Sequence, residues 1–422
     1  MQNIRRNASE FQLGRKGNLL ILSMLPLILF FSAFFLDKPS NMIKGLYDII
    51  ISSDILLTDY LEIGGIGATF INASLLATFN ICIIYKLKLK PNGAIIAAVF
   101  TITGFSFFGK NIFNVLPMYL GGLLYVKYQG VSFKNVLVAI MFSTTLGPIV
   151  SEIAFGFDLP LILSLPLGIV FGVFVGFVIT PLSSHMLRTH DGYNLYNVGL
   201  TAGVLGILLN SLLKSYGLVV ESQLILSTAY DSFLKIFLLS IFILLIAVGY
   251  AINGKSFQGY SKVFRFSGRL ITDYSQLQGY GVSYINMGIM GMVSLIYVIT
   301  LGGVLNGPIV GALLTVTGFG AFGKNPKNTI PIMLGVFIAA HLKIWEVNST
   351  AIIIAGLFGT TLCPIAGEYG FAMGLVAGFL HLSIVMNVGI VHGGLNLYNN
   401  GFAGGLVAAI LVPLIDAFKK GD

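Results

Sequence analysis

Two lysines occur in the same apolar setting at two places in this chain. The stretch 103–117 reads TGFSFFGKNIFNVLP and the stretch 317–331 reads TGFGAFGKNPKNTIP, with nine of fifteen residues identical. A lysine beside a helix N-terminus combines a positive charge with free N–H donors, which suits a small anion or a carbonyl group. The pattern therefore indicates as binding residues Lys110, Asn111, Asn114, Lys324, Asn325 and Asn328. The alternative interpretation is that both lysines extend from helix ends to the membrane interface.

A second repeated element combines threonines with a proline and a glutamate. The stretch 142–153 reads FSTTLGPIVSEI and the stretch 358–369 reads FGTTLCPIAGEY. The proline frees a backbone carbonyl, and the threonines either satisfy it or line a pore. A carboxylate in an apolar segment is a candidate for function, here for balancing the lysines or carrying protons, unless it lies at the interface. The candidates from this element are Thr144, Thr145, Glu152, Thr360, Thr361 and Glu368.

Asparagines recur in a third element and within two apolar segments. The stretch 190–206 reads HDGYNLYNVGLTAGVLG and the stretch 392–408 reads HGGLNLYNNGFAGGLVA. Asn197 and Asn399 either cap the helix that follows or line a pathway. Asn72 and Asn286 lie in the middle of apolar segments, where an amide bridges helices or lines a pathway. These four asparagines complete the predicted binding residues.

The composition of the chain is that of a membrane protein. Of its 422 residues, 56% are hydrophobic and 9% are charged, whereas ordinary globular domains contain about 25% charged residues. Apolar runs long enough to cross a bilayer recur along the chain, so we predict an all-α polytopic membrane protein. The net charge of +8 is interpreted as a topology signal, not as a nucleic-acid surface. The two cysteines and five histidines supply no metal-ligand spacing. We therefore expect no nucleic-acid partner, no metal, no cofactor and no enzymatic activity.

The repeated elements are parts of one internal duplication. TDYLEIGGIGATFIN (58–72) aligns with TDYSQLQGYGVSYIN (272–286) at the offset of the lysines, since 272 − 58 and 324 − 110 both equal 214. We predict an N-terminal cytoplasmic segment at 1–17, membrane repeats at 18–215 and 232–422, and an extracytoplasmic linker at 216–231. Each repeat has about seven apolar segments, some re-entrant or broken. An odd number brings the second repeat into the membrane from the opposite side, so the predicted topology is inverted.

Charge supports this topology, but leaves the position of the lysines open. With the N-terminus inside, eighteen of the 24 Lys and Arg residues fall on predicted cytoplasmic segments, including both termini. The stretches 93–127 and 306–342 contain runs that are short for full spans of about 20 residues. Each stretch forms either two spans or one re-entrant hairpin. Two spans place Lys110 at the outer surface, whereas a hairpin places it near the midplane.

The chain carries GKNxFN and GxNxxN elements on a duplicated, inverted scaffold. As a whole it resembles an uncharacterised family of bacterial integral membrane proteins with a duplicated domain of unknown function. GKNIFNVLP (109–117) also looks like an element of the membrane flavin subunits of ion-pumping ferredoxin and quinone oxidoreductases. DGYNLYNVGLTAGVLG (191–206) is similar to a stretch of urea transporters. Those two families share two inverted halves whose half-membrane helices meet at the centre, which implies a central pathway here. The flavin-attachment element and the urea-transporter filter are both missing, so the resemblance implies a fold and not a substrate.

These observations predict a transporter or channel for a small polar or anionic solute or ion, with the solute passing between the repeats. The resemblance implies a bacterial cytoplasmic (inner) membrane location and, because urea transporters often trimerise, a homo-oligomer. One alternative is a non-flavinylated membrane subunit of a redox or other multi-subunit complex. Another is a structural assembly partner.

Overall fold

The architecture is given by a computed structural model that describes residues 14–221 and 223–418. Most of the predicted cytoplasmic N-terminal segment, with Arg5 and Arg6, and the basic C-terminal Lys419 and Lys420 lie outside the described residues. Within the described part, regular structure consists of helices and three isolated single-residue bridges. The predicted all-α class is confirmed.

The first repeat contains ten α-helices, and a Thr-Thr-Leu 3-10 turn at Thr144–Leu146 bends the path between α7 and α8. The bounds are α1 Arg15–Leu36, α2 Pro39–Ile51, α3 Tyr60–Ile63, α4 Gly65–Lys86, α5 Gly93–Phe105, α6 Ile112–Gln129, α7 Phe133–Ser143, α8 Gly147–Ser151, α9 Leu161–His190 and α10 Asn197–Ser215. A π-helical turn at Glu152–Gly156 extends α8.

The second repeat follows the same order, with a matching 3-10 turn at Thr360–Leu362. The bounds are α11 Asp231–Ile252, α12 Tyr274–Leu277, α13 Tyr280–Thr300, α14 Gly307–Phe319, α15 Pro326–Leu342, α16 Thr350–Gly359, α17 Cys363–Tyr369, α18 Phe371–Val388 and α19 Asn399–Phe418. Here an extended 3-10 segment at Tyr260–Arg265 replaces α2.

By length and composition, ten helical stretches of the described residues can cross a membrane, five in each repeat. They are Arg15–Leu36, Gly65–Lys86, Phe133–Gly156, Leu161–His190, Asn197–Ser215, Asp231–Ile252, Tyr280–Thr300, Thr350–Tyr369, Phe371–His392 and Asn399–Phe418. Together with α5, α6, α14 and α15 they make seven segments per repeat. Because five is an odd number of crossings, the second repeat runs in the opposite sense to the first.

The short segments form re-entrant hairpins. Helix α5 has 13 residues, or about 20 Å at 1.5 Å per residue, which is too short to cross. Helix α6 then runs beside α4 in the same direction, because Asn72 bonds the carbonyl of Lys110 and Asn80 bonds the hydroxyl of Tyr119. Since α5 leaves the end of α4, it must run opposite to both α4 and α6. The Lys110 turn therefore lies inside the protein.

The two half-length helices α5 and α14 pack directly against each other at the boundary between the repeats. A Cβ atom on Gly104 would lie 2.7 Å from the carbonyl oxygen of Gly311, so the backbones are in contact there. The N-terminus of each helix is capped by the side chain of an aspartate from the other repeat. The backbone N–H of Gly307 donates to Asp59 at 3.0 Å, and that of Gly93 donates to Asp273 at 3.0 Å. This exchange of caps links the repeats at both ends of the helix pair.

Candidate functional site

Both Gly-Lys-Asn lysines are completely buried at the boundary between the repeats, with 0% exposure. The Lys110 ammonium donates to the Tyr398 hydroxyl at 2.8 Å and lies 4.6 Å from the centre of that ring. The Lys324 ammonium donates to the Tyr196 hydroxyl at 2.6 Å and to the Thr360 hydroxyl at 2.7 Å. Each lysine therefore contacts a tyrosine from the opposite repeat.

Among residues 14–221 and 223–418, neither lysine has a carboxylate partner. The ion pairs of the described residues are Lys235–Asp231 and Arg269–Asp191. Aromatic rings surround the two ammonium groups instead, with Phe105 and Tyr398 around Lys110. A ring face attracts a cation and partly replaces the missing counter-charge. The expectation that Glu152 or Glu368 pairs with a lysine does not match this arrangement.

The second threonine of each Thr-Thr pair holds the Asn-Leu-Tyr segment of the other repeat. Thr145 donates to the side chain of Asn396 at 3.0 Å and accepts from the backbone N–H of Tyr398 at 2.9 Å. The equivalent Thr361 donates to Asn194 at 2.6 Å and accepts from the N–H of Tyr196 at 2.9 Å. Two predicted elements, far apart in sequence, thus meet in a crossed arrangement that positions the tyrosines.

The first threonines have a more local role. Thr144 donates to the carbonyl of Met141, three residues earlier, at 2.7 Å. Thr360 donates to the carbonyl of Leu357 and also accepts from Lys324. The hydrogen bond to the lysine therefore distinguishes the second repeat from the first.

The mid-segment asparagines stabilise the turns that carry the lysines. The amide of Asn72 donates to the carbonyls of Ser106 and Lys110, both at 2.8 Å. Asn286 donates to the carbonyls of Gly320 and Lys324 at 2.6 and 2.8 Å. These carbonyls lack helical partners because the chain reverses there, and an unsatisfied carbonyl inside a membrane protein is costly.

The asparagines that follow the lysines act as helix caps. Asn111 and Asn114 form a reciprocal capping box at the start of α6, and Asn325 and Asn328 do the same at α15. Gly109 and Gly323 precede these caps with φ angles of 72° and 86°, a left-handed conformation that suits glycine. The Gly-Lys-Asn sequence therefore forms the tight turn at which the chain reverses direction between two antiparallel helices.

Asn197 and Asn399 begin α10 and α19. Their side-chain oxygens lie 2.9 Å from Nε2 of His190 and Nε2 of His392, respectively. Their amides donate to carbonyls of the preceding long helices, at Ser183 and Val385. Both asparagines thus join the end of one helix to the start of the next. Asn197 also borders a cavity that lies between the two repeats.

A cavity of about 250 Å³ lies between the repeats, beside the lysine–tyrosine pairs. Aromatic side chains from equivalent positions of both repeats line it, and the two tyrosines that contact the lysines are among them. The aromatic lining is Phe105, Phe142, Tyr196, Phe319, Phe322, Phe358 and Tyr398. The polar side chains on its wall are Thr101, Thr315, Ser183, Asn197 and Asn400, together with the tyrosines. Neither lysine is part of the wall.

The cavity extends toward one face only. On the face where α5 begins, its wall includes Ala94, Ala139 and Leu270. The equivalent residues on the opposite face are Pro308, Ala355 and Leu56, and they do not line the cavity. At the surface it reaches Leu187, which is 38% exposed, and Ile271, which is 84% exposed. The pseudo-symmetric pair of repeats therefore encloses an asymmetric space.

The two candidate glutamates occupy different environments. Glu152 is 5% exposed, on the π-helical turn after α8. Glu368 is exposed near the end of α17. The structure does not bring them together at the centre, although the sequence elements that carry them are equivalent.

Three buried aspartates are not among the site residues predicted from the sequence. Asp59 and Asp273 belong to the repeated Thr-Asp-Tyr segments, and their recurrence was the signal that could have identified them as caps. Asp54 has no acidic counterpart in the second repeat, so a comparison of the two copies does not identify it. Burial raises the pKa of Asp54 to about 7 and that of Asp59 to about 6, although hydrogen bonds to both carboxylates act in the opposite direction.

In the described residues, no group of three or more His, Cys, Asp or Glu side chains is arranged to hold a metal ion. The candidate site consists of buried lysines, tyrosines, threonines and amides around a cavity of low polarity. Such a set binds and orients a small molecule through hydrogen bonds.

Comparison with known proteins agrees with the duplication. No curated protein and no solved structure matches the chain. A family described as "Protein of unknown function (DUF1576)" matches residues 38–215 and 252–417. The two matches start 214 residues apart, since 252 − 38 = 214, which is the offset between the two lysines. The predicted duplicated domain is confirmed, and the chain belongs to this family of unknown function.

Proposed function

We propose that the protein is a transporter that carries a small polar solute through the space between its two repeats. The observation that carries this proposal is the cavity of about 250 Å³ at the repeat boundary, beside two reversals of half-length helices. Irregular backbone at membrane depth is tolerated where it is buried in protein or lines a cavity, and inverted repeats commonly place a substrate site there.

The chemistry of the cavity wall supports a solute with a hydrogen-bond acceptor. The hydroxyl oxygens of Tyr196 and Tyr398 each accept from an ammonium group, so their own hydrogens remain to be donated. Within the described residues no acceptor contacts the Tyr398 hydrogen, whereas the Thr360 hydroxyl lies within hydrogen-bonding distance of the Tyr196 hydroxyl. A hydroxyl that accepts from a cation is also a stronger donor. A carbonyl or small oxyanion is therefore the fitting partner, while the apolar wall favours a compact, weakly hydrated solute.

The one-sided cavity supports alternating access more than an open channel. A channel would expose equivalent residues of both repeats at once, whereas here Ala94 borders the cavity and its equivalent Pro308 does not. The accessible side contains the connection between α4 and α5, with Lys86, Lys88 and Lys90. By the positive-inside rule this side is cytoplasmic, which makes the described conformation inward-facing.

The test begins with thermal shifts of the purified protein across small amides, carboxylates and inorganic anions. A ligand at about 100 times its dissociation constant stabilises a protein by about 2.7 kcal/mol. Any stabilising solute is then assayed for uptake into proteoliposomes. We expect Tyr196→Phe and Tyr398→Phe to abolish both signals, while Tyr128→Phe, at a residue that is 77% exposed, leaves them unchanged.

Equal stabilisation and uptake in wild type and both tyrosine variants would reject the cavity as the solute site. Absence of uptake for every stabilising solute would reject transport itself.

A further inference from the structure

The first repeat contains a buried carboxylate that the proposed solute site does not use. Asp54 lies between α2 and α3 with 0% exposure. Its Oδ2 atom accepts hydrogen bonds from Tyr60, Asn111, Asn114 and Ser151 at 2.8, 3.1, 2.9 and 2.9 Å, and its Oδ1 atom accepts one from Ser52 at 3.0 Å. In the described part of the chain no lysine or arginine forms an ion pair with it.

The fold itself does not require this carboxylate. The equivalent position in the second repeat is Gly268, since 54 + 214 = 268. There the capping asparagine Asn328 donates to the backbone carbonyl of Ser267 at 3.1 Å, and the same capping box forms. A turn of the same geometry is therefore built without an acidic residue. The cost of burying Asp54 calls for a reason other than folding.

A second buried carboxylate lies next to this one. Glu152 directly follows Ser151, whose hydroxyl donates to Asp54. It is 5% exposed, and no described residue donates a hydrogen bond to it. Its carboxyl group lies over Gly156, where an added Cβ would come within 2.4 Å of it. The charges of Asp54 and Glu221 both act on Glu152.

These acidic residues form a series of increasing burial. Glu221 is exposed in the linker between the repeats, Glu152 is nearly buried, and Asp54 is completely buried. A completely buried carboxyl group without a cationic partner ionises less readily than one in water, which favours proton binding at Asp54 near neutral pH. The titratable groups that face Asp54 are Tyr60 and Glu152, and both are neutral or acidic.

The series ends at the turn that carries Lys110. Asn114 donates to Asp54 at 2.9 Å and to the carbonyl of Gly109 at 3.1 Å. Asn111, which follows the lysine, donates to Asp54 as well. When Asp54 gains a proton it loses charge, and these charge-assisted hydrogen bonds weaken. A change at Asp54 is thereby transmitted to the turn that holds the Lys110–Tyr398 pair.

We propose that Asp54 and Glu152 form a proton-binding site, entered at Glu221, that couples proton movement to solute transport. The coupling part rests on the proposed function, while the proton site stands without it. The step is uptake of one proton by a carboxylate oxygen, with no other bond made or broken. In the described part of the chain, the first repeat alone carries the site, which gives the two repeats unequal roles.

The proton site is tested without any solute. Infrared difference spectra of the reconstituted protein are recorded between about pH 5 and about pH 9, a range that spans the ionisation of a carboxyl group shifted upward by burial. We expect a carbonyl band of a protonated, buried carboxyl group that disappears as the pH rises. In Asp54→Asn the Asp54 part of this band should be lost, while the contribution of Asp59, whose pKa is raised to about 6, remains. In Glu152→Gln the remaining Asp54 band should titrate at lower pH, because the neighbouring negative charge is gone.

Size-exclusion elution checks that each variant is folded. If Asp54→Asn does not fold, the shift of the band in Glu152→Gln tests the proton site. Glu346→Gln, at an exposed acidic residue between α15 and α16, is the matched control and should leave the band unchanged. A band that is as large in Asp54→Asn as in wild type and that does not shift in Glu152→Gln would overturn the proton site. Loss of the band on adding Na⁺ at constant pH would also overturn it, in favour of a sodium site.

The coupling is tested by uptake under an imposed pH gradient. We expect a gradient to drive accumulation in wild type and to have no effect in Asp54→Asn, whose uptake without a gradient persists. Equal responses of wild type and Asp54→Asn would overturn coupling and leave transport standing. Failure of the proposed function would instead appear as no uptake in any condition, with the infrared result unaffected.

Discussion

The ammonium group of Lys110 in the first repeat donates a 2.8 Å hydrogen bond to the hydroxyl of Tyr398 in the second repeat, 288 residues later. Lys324 and Tyr196 repeat this relationship in the opposite direction. The two tyrosines form part of the cavity wall, and the lysines lie behind them. The Gly-Lys-Asn turn occurs twice because each repeat supplies a lysine to the other's tyrosine.

Removal of the tyrosine hydroxyl should destabilise the protein more than removal of the lysine charge. Tyr398→Phe leaves the buried Lys110 ammonium without its one described acceptor, which costs about 1–3 kcal/mol. Lys110→Met removes the charge together with its need for a partner, and such replacements are often neutral or stabilising. We expect a lower midpoint of thermal unfolding in Tyr398→Phe, and recovery in the double variant Lys110→Met/Tyr398→Phe.

The second lysine provides an internal comparison. Lys324 also donates to Thr360, so Tyr196→Phe leaves it with one acceptor and should have the smaller effect on thermal unfolding. Equal losses in Tyr196→Phe and Tyr398→Phe would contradict the asymmetry of the two sites.

The crossed threonine contacts should hold the repeats together. Thr145→Val removes one hydrogen bond from the Asn396 side chain and one from the backbone N–H of Tyr398, which still donates to Asn396 at 3.0 Å, at a cost of about 1–2 kcal/mol. Thr144→Val is the matched control, because that hydroxyl bonds only a carbonyl of its own helix. We expect a clear drop in the unfolding midpoint for Thr145→Val, and at most about 1 kcal/mol for Thr144→Val. Similar drops in both would show that any valine in this turn is disruptive.

Alternating access predicts opposite labelling of two equivalent alanines. Ala139 borders the cavity and is half-buried, whereas its equivalent Ala355 is 1% exposed. In right-side-out vesicles, a membrane-impermeant thiol reagent should label Ala355→Cys only when the opposite conformation is populated. In inside-out vesicles it should label Ala139→Cys. The background is a variant in which Cys82 and Cys363 are replaced by serine and alanine, respectively.

A solute that favours one conformation should raise labelling of one cysteine and lower that of the other by a similar factor. Simultaneous labelling of both from their two sides, unaffected by any solute, would indicate an open channel.

Stability should fall as the pH rises from about 4 to about 7. Burial raises the pKa of Asp54 from 3.8 to about 7, so between these values the folded protein binds more protons than the unfolded chain. Stability linked to this group is therefore complete below about pH 4 and is lost progressively up to about pH 7. We expect the unfolding midpoint of wild type to decline across this window, and that of Asp54→Asn to decline less.

Asp59, whose pKa is raised to about 6, contributes in the same direction and remains in the variant. The measurement is thermal unfolding in detergent at a series of pH values, and identical slopes for wild type and Asp54→Asn would contradict the assignment.

Composition and repetition alone determined the class of this protein. Low charge and long apolar runs require helices that satisfy their backbone groups internally, and the constant offset of the motifs requires two copies of one unit. The paired candidates were recognisable for the same reason, because buried polar residues stand out in an apolar chain. Lys110, Thr145 and Asn72 were all identified in this way.

Which repeat each candidate contacts was decided only by the tertiary structure. Local sequence cannot distinguish a hairpin from two spans, since the difference depends on whether α5 meets α14 or lipid. It also cannot show that Thr145 holds Tyr398 or that Asp59 caps α14, because these hydrogen bonds join residues more than two hundred positions apart. Asp54 illustrates the limit of the duplication argument, since a residue that distinguishes the copies is invisible to a search for what they share.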